Sequence, residues 1–600
     1  MSSAYDIIIK AGRVFDGSGS PSCHQNIGIK DGLITAISTE EIHSEGAQVI
    51  NAEGAWVSPG FIDAHTHYDA ELLASPGLNE SVRHGVTTII TGSCSLSMVY
   101  SSPKDAADLF SRVEALPYDP MLDIVEREHD WNSPETWAKT FDNRALGPNV
   151  ASLMGHSDIR AHVMGLDRST SGAKPTQKER EKMVACLEEA LDAGFVGMSS
   201  QTNPWDKLAG DRFRSRCLPS AYASWKEYRW FHKVLRKRNR VLQSAPNLNT
   251  KVNMLGFFGA SSGWFWRKPL KTTLISAADA KASPWVVPIF GPLTRLWNFL
   301  TRARFTWQAI PSPFEVYADG IDLVIFEEFG AGAEAMHLAD EIERNDLMKT
   351  EGYRRRFRKD FDKKFSPRVW HRDFHDAHIV ACPDPSVVGK SVGTVAEDRG
   401  IHVVDAFLDL VVEYGKDFRW RTVIANHRPE VLKKMLKQSS VHIGFSDCGA
   451  HLRNMGFYNF PLQLLRLAKD AQTEKRPFMS VERAVQRLTS ELADWYDLDA
   501  GRIELGARAD ITIIRPEALN DQLDEYHEAP FPEMGVNRVV RRNDEAVIAT
   551  VIAGKIAYDQ GAFADDFGQV RYGRFLRSGQ IQRTPLPPIE NKGRRLEKSA

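Results

Sequence analysis

The segment PGFIDAHTHYD, residues 59–69, combines residue types and spacing that can do chemistry. The letters FID read as the end of a β-strand, and His65 and His67 follow two residues apart. Residues i and i+2 of an extended chain point to the same side, so both imidazoles can face one metal ion. Neutral imidazole is a common ligand of zinc and of similar divalent ions. The segment therefore predicts a metal site at the end of a strand.

The middle of the chain contains elements that could position such a site. Residues 177–194, QKEREKMVACLEEALDAG, predict an amphipathic helix that ends at Gly194. Strand-like runs are VTTIITGSC (86–94), NVASLMGH (149–156), FVGMSS (195–200), RTVIANH (421–427) and VHIGFSDCG (441–449). Strands that alternate with helices predict a parallel (β/α)₈ barrel, whose active site lies at the C-terminal ends of its strands.

Both ends of the chain are rich in short strand-like runs broken by glycine turns. We expect the two ends to build one small β-sandwich domain, although two unrelated β caps are an alternative. The predicted domains are a β-sandwich from 1–58 and 496–565, a barrel from 59–495 with a lid-like insertion at 254–310, and a C-terminal extension at 566–600.

The expected insertion, residues 254–310, alternates aromatic residues with Arg and Lys. Its tryptophans are Trp264, Trp266, Trp285, Trp297 and Trp307. Loops at the C-terminal face of a barrel set specificity, and aromatic side chains offer large apolar contacts. We hypothesise a lid that recognises a bulky, partly apolar substrate group. A subunit contact in a homo-oligomer is an alternative, and binding to a membrane surface is less favoured.

Composition excludes several classes of protein. The chain has 600 residues and a net charge of −2, so it shows no overall bias toward nucleic acid. No basic segment followed by an apolar run begins the sequence, and no run of 18 apolar residues occurs, so we expect neither a signal peptide nor a spanning helix. Six scattered cysteines fit reduced thiols, and we expect a cytoplasmic protein. No dinucleotide or phosphate-binding glycine motif indicates a redox or nucleotide cofactor.

PGFIDAHTHYD after a β-rich segment resembles the first barrel strand of the amidohydrolase superfamily. The order of further segments is similar to the branch of N-acyl-D-amino-acid deacylases, or D-aminoacylases, over roughly residues 5–250 and 385–560. These segments are HGVTTIITGSCS (84–95), NVASLMGHSDIR (149–160), DAGFVGMSS (192–200), GFSDCGAH (444–451) and LADWYDLDAGRIELGARADITI (492–513).

The resemblance implies a ligand set. Cys94 stands where this branch has a metal-binding cysteine after the second barrel strand. Asp447 matches the aspartate after the last strand, which binds metal and carries a proton from the attacking water to the leaving amine. With His65 and His67, these residues are expected to bind one or two divalent ions, with zinc favoured.

The sequence departs from the family at two later ligands. Histidines are expected after two later strands, but Gln243 and Ser276 stand nearest the corresponding places. Amide and hydroxyl groups are poor substitutes for imidazole, so a second metal site would be absent or rebuilt. A helix carrying His371, His375 and His378 is a less favoured source of replacement ligands.

The resemblance and the ligand set together predict a metal-dependent hydrolase that cleaves the amide bond of an N-acyl or N-aryl-acyl amino acid. A small-molecule substrate is therefore the expected partner. Candidate substrate contacts are His156, Arg160, Gln243, Ser276 and His451. A hydrolase of cyclic amides, imides, ureas or carbamates is an alternative, as is a membrane-associated enzyme for lipidic N-acyl substrates. A catalytically silent binding barrel is disfavoured, because four candidate ligands are retained together.

Overall fold

The structure is a computed structural model that describes residues 4–43, 45–247, 253–264, 267–363, 368–584, 586 and 589. The strands are β1 Ile7–Val14, β2 Cys23–Lys30, β3 Leu33–Ser38, β4 Gln48–Asn51, β5 Trp56–Pro59, β6 Phe61–Asp63, β7 Val86–Thr91, β8 Asn149–Gly155, β9 Gly197–Gln201, β10 Val241–Ala245, β11 Lys271–Leu274, β12 Arg304–Ala309, β13 Phe314–Asp319, β14 His378–Ala381, β15 Arg419–Ala425, β16 Val441–Ile443, β17 Ile511–Ile514, β18 Tyr526–Phe531, β19 Val536–Arg541, β20 Val547–Ile552, β21 Lys555–Asp559 and β22 Ala562–Phe563.

The helices are α1 Glu71–Ala74, α2 Asn79–Arg83, α3 Pro103–Phe110, α4 Tyr118–Glu128, α5 Pro134–Asp142, α6 His156–Met164, α7 Leu166–Ser169, α8 Gln177–Asp192, α9 Trp225–Arg238, α10 Asn253–Ser261, α11 Val286–Thr301, α12 Gly330–His337, α13 Glu341–Lys349, α14 Glu351–Phe361, α15 Val392–Arg399, α16 Val403–Tyr414, α17 Pro429–Leu436, α18 Phe460–Thr473, α19 Val481–Leu488 and α20 Ser490–Tyr496.

A parallel barrel forms the centre of the molecule. Among the described residues, eight strands pair side by side in the order β6, β7, β8, β9, β10, β11, β12 and β16. The barrel closes where the backbone N–H of Ala64 donates to the carbonyl of Gly444 at 3.0 Å and Thr66 forms a parallel bridge with Cys448. This architecture confirms the predicted (β/α)₈ fold.

Local sequence explains why these elements form. All six residues of β7, VTTIIT, are buried, as expected for a strand covered on both faces. Helix α8 begins at a capping box in which Thr176 and Glu179 bond to each other's backbone. It ends before Gly194, whose φ of +98° suits glycine. The predicted helix at 177–194 is therefore present, close to its expected bounds.

The prediction that residues 254–310 form a lid is wrong. This segment supplies β11 and β12, the sixth and seventh barrel strands, with α10 and α11 on the outside of the barrel. Residues 265–266 of the segment, which include Trp266, lie outside the described residues. The two strands are only four and six residues long, and the aromatic residues around them hid the strand pattern.

The insertion lies later, between β12 and β16. In the part of the chain that is described there, β13, β15 and β14 form an antiparallel three-stranded sheet with its own apolar core. The run RTVIANH, predicted to be a barrel strand, belongs to β15 of this sheet, so that prediction is also wrong. Its apolar pattern does not distinguish a parallel from an antiparallel strand.

Strands from both ends of the chain share one sheet. Over the described ranges it has nine strands, in the order β22, β21, β20, β17, β5, β1, β2 and β3, with β4 paired to β1. The first part of the expected extension is attached to the barrel, because Phe575 and Leu576 are buried and Leu576 donates its N–H to the carbonyl of Val150 in β8. Most of the chain after 584 lies outside the described residues.

Candidate metal centre

Three of the predicted ligands meet at the C-terminal face of the barrel. Across the described ranges, one ligand atom each from His65, His67 and Cys94 lie within 4.8 Å of one another. His65 and His67 follow β6, and Cys94 follows the adjacent strand β7. The Nε2 atom of His65 is 3.4 Å from Cys94 Sγ. Both histidines are buried, whereas Cys94 is half-buried.

Asp447 joins this group from the last barrel strand. Its Oδ1 atom lies 3.2 Å from Nε2 of His67 and 3.6 Å from Nε2 of His65. The backbone N–H of Asp447 donates to the carbonyl of His65 at 3.1 Å, which ties the two strand ends together. Two imidazoles, a thiol and a carboxylate therefore converge, and this donor set fits a zinc-like divalent ion.

The backbone at two of these positions is unusual. Cys94 has a φ of +50° and Asp447 a φ of +60°, in the left-handed region that residues with a Cβ rarely adopt. Such conformations cost free energy and persist where surrounding contacts impose them. Here they turn the thiol and the carboxylate toward the histidines.

Two glutamines hold the ligands in place. Gln308, at the end of β12, accepts a 2.8 Å hydrogen bond from Nδ1 of His65, which leaves Nε2 with a free lone pair facing Cys94 and Asp447. Gln243 of β10 accepts the backbone N–H of Cys94 at 3.1 Å and donates to Ser93 Oγ at 3.1 Å. Gln243 Nε2 also lies 3.1 Å from Nδ1 of His65, and we assign the proton to Nδ1 because the Gln308 oxygen is nearer and can only accept.

A buried carboxyl group lies behind His67. Glu114, in the turn between α3 and α4, places Oε1 3.3 Å from Nδ1 of His67, an ion-pair contact that is not aligned as a hydrogen bond. His451 Nε2 is 3.8 Å from the other Glu114 oxygen, and the His451 N–H donates to the Glu114 carbonyl at 2.6 Å. Burial raises the pKa of Glu114 to about 8.

Burial and neighbouring charges set the protonation of the candidate ligands. Burial lowers the pKa of His65 to about 4, so this imidazole is neutral, the form that binds metals. Burial alone would raise the pKa of Asp447, but the hydrogen bond and charge of His67 and the charge of His65 hold it below its usual range. Burial raises the pKa of the Cys94 thiol to about 12, so a bound cation is needed to stabilise its thiolate.

Two predicted substrate contacts serve the protein interior instead. His156 and Arg160 are buried, and both bind Glu227 of α9. The second ring nitrogen of His156, Nδ1, is 2.9 Å from Ser200 Oγ, so neither nitrogen is available to a substrate. The predicted substrate-binding role is wrong for both residues, because the buried charge of Arg160 requires a buried partner.

The three remaining candidates for substrate contact differ in where they lie. Gln243 is buried and its amide is engaged by Cys94 and Ser93, so it supports the ligand loop rather than the substrate. Ser276 is half-buried after β11, and within the described residues no hydrogen bond joins its side chain to the cluster. His451 lies beside Glu114 at the edge of the site.

The alternative ligand helix at residues 371–378 does not form. His371 precedes a short 3₁₀ turn that contains His375, and His378 begins β14 in the inserted sheet. His371 pairs with Asp376 at 3.0 Å, away from the barrel strands. These histidines therefore belong to the insertion and do not complete the metal site.

A cavity of about 740 Å³ lies near the cluster, but none of the four proposed ligands lines it. Val113 and Ala115, on either side of Glu114, line it together with Leu452 and Arg453, which follow His451. Asp319, Leu323 and Glu327 of the insertion line its other side. The segment that covers the cavity is thus the insertion after β12 and not residues 254–310.

Sequence reasoning missed Glu114 and Gln308. Glu114 lies in a turn outside the strand ends, and only its burial and its distance to His67 reveal it. Gln308 falls inside the segment assigned to a lid. An assignment of FTWQA as a barrel strand would have placed Gln308 at a strand end, where ligand-supporting residues are expected.

Comparisons with known proteins address the family directly. The amidohydrolase family model matches residues 48–225, which include His65, His67 and Cys94. An uncharacterized protein of Mycobacterium tuberculosis strain H37Rv is 50% identical over 588 residues, which cover 96% of each chain. Residues 48–225 belong to the amidohydrolase family. This match confirms the predicted resemblance and the enzyme class, a hydrolase of carbon–nitrogen bonds other than peptide bonds that uses a divalent metal.

Amidohydrolases of known activity match part of the chain. N-acyl-D-aspartate deacylase from Alcaligenes xylosoxydans xylosoxydans is 33% identical over 200 residues, which cover 33% of this chain and 36% of that one. The solved N-acyl-D-glutamate deacylase from Bordetella bronchiseptica, complexed with zinc and a phosphonate inhibitor, is 20% identical and covers 96% of this chain and 100% of its own, with a TM-score of 0.61. A solved D-aminoacylase gives 18% identity and a TM-score of 0.60 over the same shares. At these identities, the two structures establish a shared fold.

Proposed function

We propose that the protein is a zinc-dependent deacylase that hydrolyses the amide bond of an N-acyl amino acid. His65, His67, Cys94 and Asp447 are the proposed ligands, and Asp447 is also the proton carrier. The observation that carries the proposal is the approach of the Asp447 carboxylate to within 3.2 Å and 3.6 Å of the two imidazole Nε2 atoms, next to the Cys94 thiol. The deacylase activity of the Alcaligenes relative supports this choice of bond.

A bound divalent ion at these residues would supply a Lewis acid that polarises the scissile carbonyl and acidifies water. The chain's own groups do the rest. Asp447 is ionised, so it can accept a proton from the attacking water and deliver it to the departing nitrogen. Gln308 orients His65, and Gln243 fixes the loop that carries Cys94. Both histidines are buried, so the protein shields their rings from bulk solvent.

One ion fits the ligand set better than two. The places where the family has its later histidines hold Gln243 and Ser276. Gln243 already accepts the N–H of Cys94 and donates to Ser93, so its amide is committed to the protein. Rebuilding a second site would need a donor from the described neighbourhood, and Glu114 is the buried carboxyl nearest His67, on the far side of its ring.

The cavity near the proposed ligands is large enough for an N-acyl amino acid. Its volume of about 740 Å³ lies within the range of small-molecule sites. Arg112 and Arg453 in its wall bind Glu327, Asp319 and Glu528, whereas Lys207 has no carboxylate within 4.0 Å among the described residues. The Lys207 ammonium could therefore pair with a substrate carboxylate.

A hydrolysis screen over N-acyl amino acids of both hands, with metal analysis of the purified protein, tests this proposal. We expect about one zinc per chain and turnover of at least one N-acyl amino acid. Turnover of cyclic amides or ureas alone would replace the deacylase by another activity of the family. Protein without stoichiometric metal and without turnover would favour the binding barrel.

A further inference from the structure

Helix α11, Val286–Thr301, has two apolar faces, and only one of them packs against the barrel. On the inner face, Trp297 donates its indole N–H to the carbonyl of Phe258 in α10 at 3.0 Å. The indole N–H of Trp307 in β12 donates to the hydroxyl of Thr294 at 2.9 Å. Val287 and Phe290 lie against the same core. This inner face is sufficient to hold the helix on the barrel.

The outer face exposes large apolar side chains in a stripe. These are Ile289, Leu293, Leu296, Phe299 and Leu300, with exposed fractions of 53, 41, 53, 82 and 58%. Spacings of four, three and four residues place Ile289, Leu293, Leu296 and Leu300 on one face of the helix. Single exposed leucines are ordinary, but a continuous stripe of this kind marks an interaction surface.

The stretch of sequence that contains this helix is rich in basic residues, of which Arg238, Arg240 and Lys281 pair with carboxylates from other segments. Residues 228–314 contain 14 Lys and Arg and one acidic residue, Asp279, which is buried in an ion pair with Arg428. This stretch therefore carries +13, whereas the whole chain carries −2 and the other residues together −15. The sequence-wide net charge conceals this separation.

The basic stretch folds into neighbouring helices on the outside of the barrel. Helix α9 contacts α10 through Arg236, which hydrogen-bonds the carbonyl of Ala260, and α10 contacts α11 through Phe258 and Trp297. Arg295 lies on α11 one turn before Phe299, and Lys268 follows the end of α10. Both are exposed, and no carboxylate of the described residues lies within 4.0 Å of either.

We propose that this outer face of α11 binds the surface of an anionic lipid bilayer. An interfacial helix inserts an apolar stripe between headgroups while flanking basic residues pair with anionic lipids, and both parts are present here. No helix of the described residues is long and apolar enough to cross a membrane, so the helix lies in the surface. The proposal does not depend on which amide the enzyme hydrolyses.

Two other occupants fit the observations less well. A second copy docked through the same face would bring two strongly basic stretches together, which is unfavourable. Nucleic acid would complement the basic charge, but its phosphates would not bury the five exposed apolar side chains. A bilayer with anionic headgroups complements both the charge and the stripe.

Co-sedimentation of the full-length protein with vesicles tests the proposal. We expect the protein to pellet with vesicles of equal parts phosphatidylglycerol and phosphatidylcholine, and to pellet far less with phosphatidylcholine alone or at high salt. The variant Leu296→Ser/Phe299→Ser should partition at least about 10-fold more weakly, because both side chains supply buried apolar area. The variant Lys268→Gln/Arg295→Gln should weaken binding mainly at low salt.

The matched control is Ile342→Ser/Leu505→Ser, which removes two apolar side chains that are 73% and 64% exposed elsewhere on the molecule. It should bind vesicles as the unchanged protein does, and metal content should show that every variant is folded. A protein that stays in the supernatant with anionic vesicles, or a stripe variant that binds as tightly as the control, would overturn the proposal. The proposal would also be overturned if sedimentation equilibrium showed a dimer for the unchanged protein and the control but a monomer for the stripe variant. That result would assign the face to a second copy.

Discussion

Gln308 Oε1 lies 2.8 Å from Nδ1 of His65 and connects the end of the seventh barrel strand to the end of the first. The contact favours the His65 tautomer with its N–H on Nδ1, and this tautomer leaves Nε2 as the metal-binding atom. The amide nitrogen of Gln308 donates to the Ala64 carbonyl at 3.4 Å, which holds the glutamine itself in place. Gln308 is therefore a positioning residue for a ligand and does not itself touch the proposed ion.

The Gln308→Leu variant should lose metal affinity while it keeps all four proposed ligands. Removing such a partner of a ligating histidine typically costs about 10- to 100-fold in affinity. Zinc titration against a competing chelator measures the effect. Gln308→Glu, which keeps an acceptor oxygen, should restore most of the affinity. If Gln308→Leu binds zinc as tightly as the unchanged protein, His65 is oriented by other contacts.

The double variant His65→Ala/His67→Ala should lose nearly all bound metal and nearly all hydrolysis. Both imidazoles belong to the group of ligand atoms that are at most 4.8 Å apart, so their loss leaves only Cys94 and Asp447 of the four proposed ligands. Elemental analysis of purified protein is the measurement. The matched control, His43→Ala/His527→Ala, removes two histidines whose side chains are 74% and 48% exposed and should leave metal content unchanged. Equal metal in both variants would place the site elsewhere.

Asp447→Asn should slow turnover by about 100-fold or more, the usual contribution of a positioned acid–base group. The amide keeps the shape of the side chain but cannot accept the proton of the attacking water. Single-turnover kinetics at equal zinc occupancy separate this effect from metal loss. Asp494→Asn, at a side chain that is 65% exposed, is the control and should turn over normally. A near-normal rate for Asp447→Asn would remove this residue from proton transfer.

The first barrel strand and its two histidines could be predicted from sequence because the signal is local. FID followed by A-H-T-H fixes both the strand end and the direction of the side chains within a few residues. The proposed ligands Cys94 and Asp447 came from the resemblance to the amidohydrolases, and both follow strand-like runs. Residues whose positions depend only on a strand and its end are within reach of such reasoning.

The supporting residues could not be predicted, because their roles depend on contacts distant in sequence. Gln308 meets His65 across 243 residues, and its strand was hidden in an aromatic-rich segment. Glu114 reaches His67 from a turn that carries no motif. Strand β15 was misplaced since a short apolar run looks the same in a parallel barrel and in an antiparallel sheet.

His156 shows a different kind of error. Its place after the third barrel strand matches the family, but its ring packs between β9 and α9, where it meets Tyr228 and Phe231 at 5.1 and 5.0 Å. Whether a histidine at a strand end faces the cavity or the outer helices depends on the helix that packs there. The partner that decides it is Glu227, 71 residues later in the chain.

The buried group of Glu227, His156 and Arg160 leads to a prediction about stability. Burial alone would raise the pKa of Glu227, but the hydrogen bond from His156 and the charges of His156 and Arg160 lower it to about 2. Glu227→Gln removes this carboxylate and leaves the buried guanidinium of Arg160 without its counter-charge. We expect the free energy of unfolding at pH 7 to fall by about 3 kcal/mol or more.

The same ion pair predicts how that loss depends on pH. A carboxyl group whose pKa is lower in the folded state than its unfolded value of about 4.3 stabilises the fold fully above that value. This stabilisation by the Glu227 carboxylate disappears as the pH falls toward the pKa of Glu227 in the folded state, which is about 2. The difference between the unchanged protein and Glu227→Gln in the free energy of unfolding, measured with urea, should therefore be constant near neutral pH and shrink below about pH 4.3.

Glu188→Gln, at an exposed position on α8, is the control and should change the free energy of unfolding by less than about 0.5 kcal/mol, both near neutral pH and below about pH 4.3. A Glu227→Gln variant as stable as this control at pH 7 would show that Arg160 finds another partner, and its buried charge would then need a different explanation.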